Sequence, residues 1–91
     1  MYKISDYSKQ QAKKLNVSIK PSTSKNKKID VYKNNVKIVS IGQKGYKDYP
    51  TYIKTDGKKV ADEKRKLYKA RHNCSDKKSN TAGFYACKIL W

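Results

Sequence analysis

The residues of this 91-residue chain that could do acid–base or covalent chemistry are few and scattered. His72 is the only histidine, and no serine or cysteine is visibly paired with it. Asp62 and Glu63 are adjacent carboxylates, but on a helix their side chains diverge, whereas a nuclease needs converging acids and a magnesium ion. No phosphoryl-transfer spacing is matched by Arg65, Arg71, His72 and Tyr85. We therefore expect a protein that is not an enzyme and that needs no metal or other cofactor.

The two cysteines, Cys74 and Cys87, stand thirteen residues apart. That spacing matches no zinc motif, and a single histidine could not complete one. A reducing compartment, which the sequence otherwise favours, argues against a disulfide between them. We expect Cys87 to be a small core residue, and Cys74, in a polar loop, receives no role.

Positive charge is the dominant property of the chain. Lysine and arginine number 23 against seven aspartate and glutamate residues, so the net charge is +16, and all but two of the basic residues are lysines. Self-repulsion at that density destabilises a compact protein and is relieved when an anion binds. Nucleic acid is the commonest anion of matching size, with DNA the favoured form, and lysine favours contacts with its phosphate backbone over reading of the bases. A merely solubilising surface is the alternative.

Residues 41–72 begin as a loop rich in glycine and tyrosine and continue as a basic helix over 58–72, which carries the densest positive charge. The segment Gly42-Gln-Lys-Gly45 could cradle a phosphate if a helix followed directly, or it could be a plain β-to-α turn. Three tyrosines follow that could stack on bases or could be core aromatics with solvated hydroxyl groups: Tyr46, Tyr49 and Tyr52.

The helix predicted over residues 58–72 would span about 22 Å at about 1.5 Å per residue, long enough to lie across a groove or along a backbone. Its ordinary interpretation is a solvated outer face. We expect it to form one phosphate-binding surface with the lysine-rich segment 20–28. The residues predicted to bind nucleic acid are Lys25, Lys27, Lys28, Lys44, Tyr46, Lys58, Lys59, Lys66, Lys69 and Arg71.

The elements that must position these residues begin with a helix and a hairpin. The helix is capped by Ser5 or Asp6 and runs to about Leu15. A short edge strand follows and ends at Pro21. Two β-rich runs on either side of an Asn-Asn pair predict a hairpin over about 29–41. Its second run has apolar residues on both faces and is the candidate central strand.

Helices are predicted over the rest of the chain. A short one begins at Pro50, and the basic helix after it has an apolar stripe formed by Val60, Ala61, Leu67 and Tyr68. The last helix, 82–91, is apolar nearly all round and is therefore expected to be buried. Its final Ile-Leu-Trp either tucks into the fold or offers itself to a partner.

The sequence thus predicts one α+β domain over 1–91: a small antiparallel sheet around the hairpin, packed by an N-terminal helix and two C-terminal helices. The segment 20–28 has nothing to bury and is expected to be a mobile basic loop, and a polar loop is expected at about 73–80. No apolar run approaches the roughly 18 residues of a membrane span, and the first residues lack an apolar signal core. A protein of the cytosol or nucleus, or of a particle assembled there, is expected.

Five segments of the chain are distinctive in sequence: Lys-Lys-Ile-Asp-Val-Tyr (27–32), Ser-Ile-Gly (40–42), Gly-Tyr-Lys-Asp-Tyr-Pro-Thr-Tyr (45–52), Arg-Lys-Leu-Tyr-Lys-Ala-Arg-His (65–72) and Ala-Cys-Lys-Ile-Leu-Trp (86–91). Together they resemble a family of small basic proteins from large DNA viruses of algae and protists, the phycodnavirus and mimivirus groups. The resemblance covers nearly the whole chain. It implies a viral origin, with a place in the virion and in the host cytoplasm or nucleus, but no mechanism.

Charge, composition and resemblance together predict a non-enzymatic viral protein that contacts the phosphate backbone of nucleic acid with little sequence specificity and could be packaged in the virion. The alternative is a minor capsid or other virion structural protein, whose basic face and apolar C-terminus contact capsid proteins. A third interpretation is an adaptor that binds an acidic surface of a host protein. A salt-sensitive affinity for any duplex would support the first interpretation, and ordered assembly with capsid protein would support the second.

Overall fold

A computed structural model of the protein describes residues 2–78 and 81–91. The elements occur in this order: helix α1 (Asp6–Lys14), strands β1 (Ser18–Pro21), β2 (Lys27–Lys33) and β3 (Val36–Gln43), helices α2 (Tyr49–Asp56) and α3 (Lys58–Arg71), a 3-10 turn (Cys74–Asp76), and α4 (Ala82–Tyr85), which continues as a π-helical turn (Ala86–Leu90). We call α4 and this π-helical turn together the closing helix. The α+β architecture expected from the sequence is confirmed.

The sheet has three strands in the order β1–β2–β3, and both pairs are antiparallel. The predicted hairpin is confirmed, since Asn34 and Asn35 form its turn with φ values of 53° and 65°. The central strand of the sheet is β2, so the prediction that the second hairpin strand, β3, is central was wrong. Residues 18–21 return to pair with the free edge of β2, whereas β3 stays at the sheet edge and leaves Val36 65% exposed.

The hydrophobic core lies between one face of the sheet, α1 and the closing helix. Ile29, Val31 and Ile41 are its fully buried strand residues, and Ile29 lies opposite Ile41 in the antiparallel register. Directly opposite residues share a face of the sheet, so both side chains enter the same core. The core is completed by Ala12, Val17, Tyr85, Ile89 and Leu90. The predicted burial of the last helix is therefore confirmed for its core-facing side.

Hydrogen bonds as well as apolar contacts tie the closing helix to α1. The Ser8 hydroxyl donates to the carbonyl oxygen of Ile89 at 2.9 Å, and the Tyr7 hydroxyl donates to that of Trp91 at 3.2 Å. Ser8 is fully buried, so its hydroxyl needs such an acceptor. Residues 89–91 thus tuck into the fold, which is one of the two alternatives expected for them.

Cys74 and Cys87 form a disulfide, contrary to the expectation that they stay apart. Their Cα atoms are 5.8 Å apart because the 3-10 turn after α3 leads the chain back to the closing helix. Asn73, with a left-handed φ of 49°, begins that turn. Cys87 is buried, as predicted. Residues 73–78 of the expected polar loop are mostly exposed, and its last two, 79–80, lie outside the described residues.

Helices α2 and α3 form a helical hairpin that turns at Gly57, whose φ is 91°. Pro50 occupies the first turn of α2, as predicted. On α3 only Ala61 is buried, and Leu67, expected on the apolar stripe, is 55% exposed. The reason is that α3 packs mainly against α2 and leaves its Leu67 side uncovered. The longest helix, α3, has 14 residues, and within the described chain no helix is long and apolar enough to cross a bilayer.

Candidate nucleic-acid interface

Lys28 is the buried exception among the predicted binding residues. Its side chain lies inside the fold, only 6% exposed, where the ammonium group donates to Asp48 Oδ2 at 3.1 Å and to the carbonyl oxygen of Tyr46. A lysine held in a buried ion pair cannot reach a phosphate outside. The assignment of Lys28 as a binding residue is therefore corrected: its charge supports the fold.

Asp48 is the centre of this buried network. Its carboxylate accepts hydrogen bonds from the Thr51 hydroxyl at 2.6 Å, the Thr51 N–H at 3.0 Å and the Tyr2 hydroxyl at 2.6 Å. Burial alone would raise the pKa of Asp48, but the bonds from Thr51 and Tyr2 and the charge of Lys28 outweigh it and hold the pKa below its usual value. Burial and the bond to Asp48 raise the pKa of Tyr2.

A second buried carboxylate, Asp30, anchors the turn between β1 and β2. It accepts hydrogen bonds from the hydroxyl groups of Ser22 and Ser40, both at 2.6 Å, and lies 3.6 Å from the ammonium group of Lys37. Burial opposes ionisation, but these bonds prevail and lower the pKa of Asp30. Residues 20–21 and 27–28 belong to strands, so the loop predicted over 20–28 is confined to 22–26.

Three predicted lysines gather at one end of the sheet, and we call Lys25, Lys27 and Lys44 the sheet-end lysines. The backbone N–H of Lys44 donates to the carbonyl oxygen of Asn26 at 3.0 Å, and Lys27 pairs with Gln43 in the strand register. All three lysines are exposed. The β1–β2 turn and the loop after β3 therefore form one positively charged edge.

The glycine loop forms no phosphate cradle. The chain leaves β3 at Gln43, and α2 begins only at Tyr49, with its N-terminus capped by the Asp48 side chain. Gly42 has a packing role instead, because a Cβ there would lie 2.7 Å from Cδ1 of Leu90 and its φ of 76° favours glycine. The plain-turn interpretation fits this loop.

The basic residues of α3 are divided between two sides of the helix. Five of them were predicted to bind nucleic acid. At 3.6 residues per turn, the four lysines among these five fall within an arc of about 100° around the helix axis, and Arg71 lies about 120° from the nearest of them. Arg71 therefore does not share one side of the helix with the other four. Binding by the outer four stays a prediction, with Lys58 already paired with Asp62 at 2.9 Å; the four are Lys58, Lys59, Lys66 and Lys69.

Arg71 faces a cleft of about 560 Å³ between the sheet end, α3 and the closing helix. Three half-buried aromatic rings line it, those of Tyr52, Tyr68 and Trp91. The Tyr68 and Trp91 rings stack 4.3 Å apart with 8° between their planes, and the Tyr52 ring lies 6.1 Å from that of Trp91. His72, to which no role was assigned from the sequence, stacks on Tyr68 at 4.2 Å.

The rim of the cleft is positively charged, and we call Lys27, Lys47, Lys64 and Arg71 the rim cations. The ammonium groups of Lys47 and Lys64 lie 5.4 and 5.9 Å from the centre of the Tyr52 ring. Among the described lining residues, Asp48 is the one carboxylate, and Lys28 neutralises it. Within residues 2–78 and 81–91, three rim cations form no ion pair: Lys27, Lys64 and Arg71.

The three tyrosines of the glycine–tyrosine loop separate in the structure. Tyr46 and Tyr52 both line the cleft, where Tyr46 is 68% exposed and Tyr52 is half-buried. Tyr49 belongs to the core: its hydroxyl donates to Asp62 at 2.7 Å, and the guanidinium of Arg65 lies 4.1 Å from its ring centre. The core interpretation therefore applies to Tyr49, and stacking on bases stays a prediction for Tyr46 and Tyr52.

Sequence reasoning missed four residues of this site: Lys47, Lys64, Tyr68 and Trp91. One signal was available, because residues 64, 68 and 71 stand at i, i+4 and i+7 and so share one side of a helix. Trp91 carried no such signal, since its place in the cleft depends on how the closing helix meets α3. Among the described residues, no three histidine, cysteine, aspartate or glutamate side chains converge in a group that could hold a metal ion.

Comparison with protein families matches residues 17–72 to a family of unknown function, DUF5754. The matched residues include all three strands, α2 and α3, and end at His72, the residue that follows α3. Neither the curated proteins nor the solved structures contain a match. Because the matched segment is more than half of the chain, the protein belongs to the DUF5754 family.

Proposed function

We propose that the protein binds nucleic acid through the phosphate backbone, without catalysis and with little sequence specificity. The observation that supports the proposal is the surplus of unpaired positive charge. Ion pairs engage five basic side chains, which leaves the other eighteen of the 23 without one among the described residues; the five are Lys28, Lys37, Lys47, Lys58 and Arg65. A polyanion relieves the repulsion within such a surplus, and release of its counterions supplies affinity.

The distribution of guanidinium groups supports low sequence specificity. Arginine reads guanine through two parallel hydrogen bonds, which lysine cannot reproduce. Of the two arginines, Arg65 lies over the Tyr49 ring and 3.7 Å from Asp62, so Arg71 alone is open to a ligand. Phosphate contacts by lysine position a nucleic acid but carry no information about its bases.

The viral setting is part of the proposal and rests on the sequence resemblance: an accessory protein of a large DNA virus, made in the host cytoplasm or nucleus and packaged in the virion, where the Cys74–Cys87 disulfide can persist. The alternative, a minor capsid protein, requires an apolar C-terminus that docks in another subunit. Ile89 and Leu90 are buried in the protein's own core, and that observation favours the nucleic-acid proposal over the capsid alternative.

Binding to two unrelated, dye-labelled duplexes, measured between about 50 and 300 mM salt, tests the proposal. The logarithm of the affinity is expected to fall linearly and steeply with the logarithm of salt concentration, with the same slope for both sequences. Absence of binding at about 50 mM salt, or an affinity that salt leaves unchanged, would overturn the proposal.

A further inference from the structure

The cleft has the dimensions of a site for a flat organic ligand. Its volume of about 560 Å³ falls within the range of ligand pockets, roughly 300–1,000 Å³. Beside the three aromatic rings, the exposed side chain of Leu67 lines the same cleft. Leu67 is 55% exposed and the three rings are only half-buried, so this apolar surface is accessible to a ligand.

The positive charge of the rim sets a second requirement, that the ligand carry negative charge. Lys64 and Arg71 stand on α3, and Lys27 stands at the sheet end, so unpaired positive charge approaches the cleft from two sides. The buried carboxylate of Asp48 is already neutralised by Lys28. A matching ligand therefore joins a flat ring to negatively charged groups, and a nucleotide has this combination.

We infer that the cleft receives an unpaired base of a single-stranded nucleic acid, stacked against the aromatic rings, while its phosphates lie on the rim cations. This inference rests on the proposed function and names its substrate class. Aromatic side chains bind bases of any sequence because every base has a π-face, which agrees with low sequence specificity.

A single strand fits better than a duplex or a free nucleotide. Bases in a duplex are stacked on one another, and extracting one costs free energy that an unpaired base does not require. A free nucleotide would use the cleft and its rim but would not reach Lys25 and Lys44. Lys25 and Lys44 continue the positive edge beyond Lys27, where the phosphates of adjoining nucleotides can follow.

The emission of Trp91, the only tryptophan in the chain, provides a direct readout. The intact protein is titrated with an oligothymidylate of about twelve nucleotides, an abasic strand of the same length and a duplex of the same length. Dye anisotropy reports affinity, and Trp91 emission reports stacking in the cleft. The abasic strand keeps the phosphates and lacks the bases, so its comparison with oligothymidylate isolates the base.

Oligothymidylate is expected to bind roughly tenfold more tightly than the abasic strand and to quench Trp91, whereas the abasic strand and the duplex bind without quenching. Equal affinity of the two single strands with unchanged emission would overturn the inference and leave the proposed function standing. Absence of binding by every probe would overturn the proposed function, and the inference with it. Thymidine monophosphate that quenched Trp91 at the same concentration as the oligomer would overturn the assignment to a strand.

Two tyrosine variants test whether the preference for oligothymidylate over the abasic strand arises in the cleft. Tyr52 and Tyr32 are both half-buried, and each has a lysine ammonium group within 6 Å of its ring centre, but only Tyr52 lines the cleft. Tyr52→Leu is expected to abolish the roughly tenfold preference for oligothymidylate over the abasic strand. Tyr32→Leu is expected to retain it. Loss of the preference in both variants, or in neither, would contradict a base in this cleft.

Discussion

Two groups of charged residues meet at the same end of the sheet and differ in whether their charges have partners. Lys28, inside the fold, is paired with Asp48 and hydrogen-bonded to backbone. Lys27, its neighbour on β2, is exposed at the cleft rim and forms no ion pair within the described residues. Successive strand residues point to opposite faces, so one of these two adjacent lysines supports the fold and the other has a proposed binding role. Unpaired charge, rather than charge density along the sequence, therefore marks the candidate interface.

Breaking the buried ion pair between Lys28 and Asp48 is expected to cause the largest loss of stability. Asp48→Ala should lower the free energy of unfolding by about 3–5 kcal/mol, because Lys28 would keep an uncompensated buried charge. Urea denaturation measures the loss. Asp56→Ala is the matched control, since its carboxylate pairs with Lys47 at 2.8 Å outside the core, and it should cost far less because an exposed ion pair contributes little to stability. Equal losses would mean that burial does not distinguish the two pairs.

Breaking the disulfide should cause the next largest loss of stability. The bond joins the 3-10 turn after α3 to the closing helix. Closing a loop of about this length is worth about 3 kcal/mol, so reduction of the wild-type protein should lower its thermal stability. Cys74→Ala should show the same lower stability with or without reductant, and reduced wild-type protein should match it. Thermal unfolding unaffected by reductant would contradict the bond between Cys74 and Cys87.

Removing rim cations should affect binding and leave stability nearly unchanged. The double variant Lys27→Ala with Arg71→Ala should reduce the salt slope of nucleic-acid binding by about one per lost phosphate contact. Its free energy of unfolding should change by no more than about 0.5 kcal/mol per substitution. Lys33→Ala, at the other end of β2 and about 20 Å from Lys27, serves as the control. An equal slope change in that control would show that the charge acts without a defined site.

Lowering the pH should reduce thermal stability by protonating the buried carboxylates, and this is the smallest of the four expected effects. Hydrogen bonds lower the folded-state pKa of Asp48 and Asp30, so their stabilising contribution is present above the unfolded value of about 3.9 and is lost as the pH falls through the folded value. Thermal stability should therefore decline below about pH 4. The same decline is expected for Lys27→Ala, which leaves both networks intact. A midpoint that did not change from neutral to strongly acidic pH would contradict these pKa directions.

Features determined by local sequence could be predicted, and they are confirmed in the structure. The Asn34-Asn35 turn, the Ser5 cap of α1 and the proline in the first turn of α2 each depend on a few neighbouring residues. Local backbone preferences act over that range. The hairpin and the order of helices therefore followed from the sequence.

Features determined by contacts between distant residues could not be predicted in this way. The central position of β2 depends on residues 18–21 returning to its edge, and the burial of Lys28 depends on Asp48 twenty residues further along. The disulfide depends on the reversal after α3, which a spacing of thirteen residues does not reveal. The cleft likewise exists only because the closing helix places Trp91 against Tyr68.

Backbone amide NMR shifts, recorded while oligothymidylate is added, test most directly whether the cleft and the sheet-end lysines form the interface. The largest changes are expected at residues 25–27 and 44–47, at Lys64, Tyr68 and Arg71 on the cleft side of α3, and at the Trp91 indole N–H. The lysines of α1, at 9, 13 and 14, should change little, although they are equally exposed. The largest changes on α1 or on the outer lysines of α3, with the cleft unaffected, would contradict an interface formed by the cleft and the sheet-end lysines.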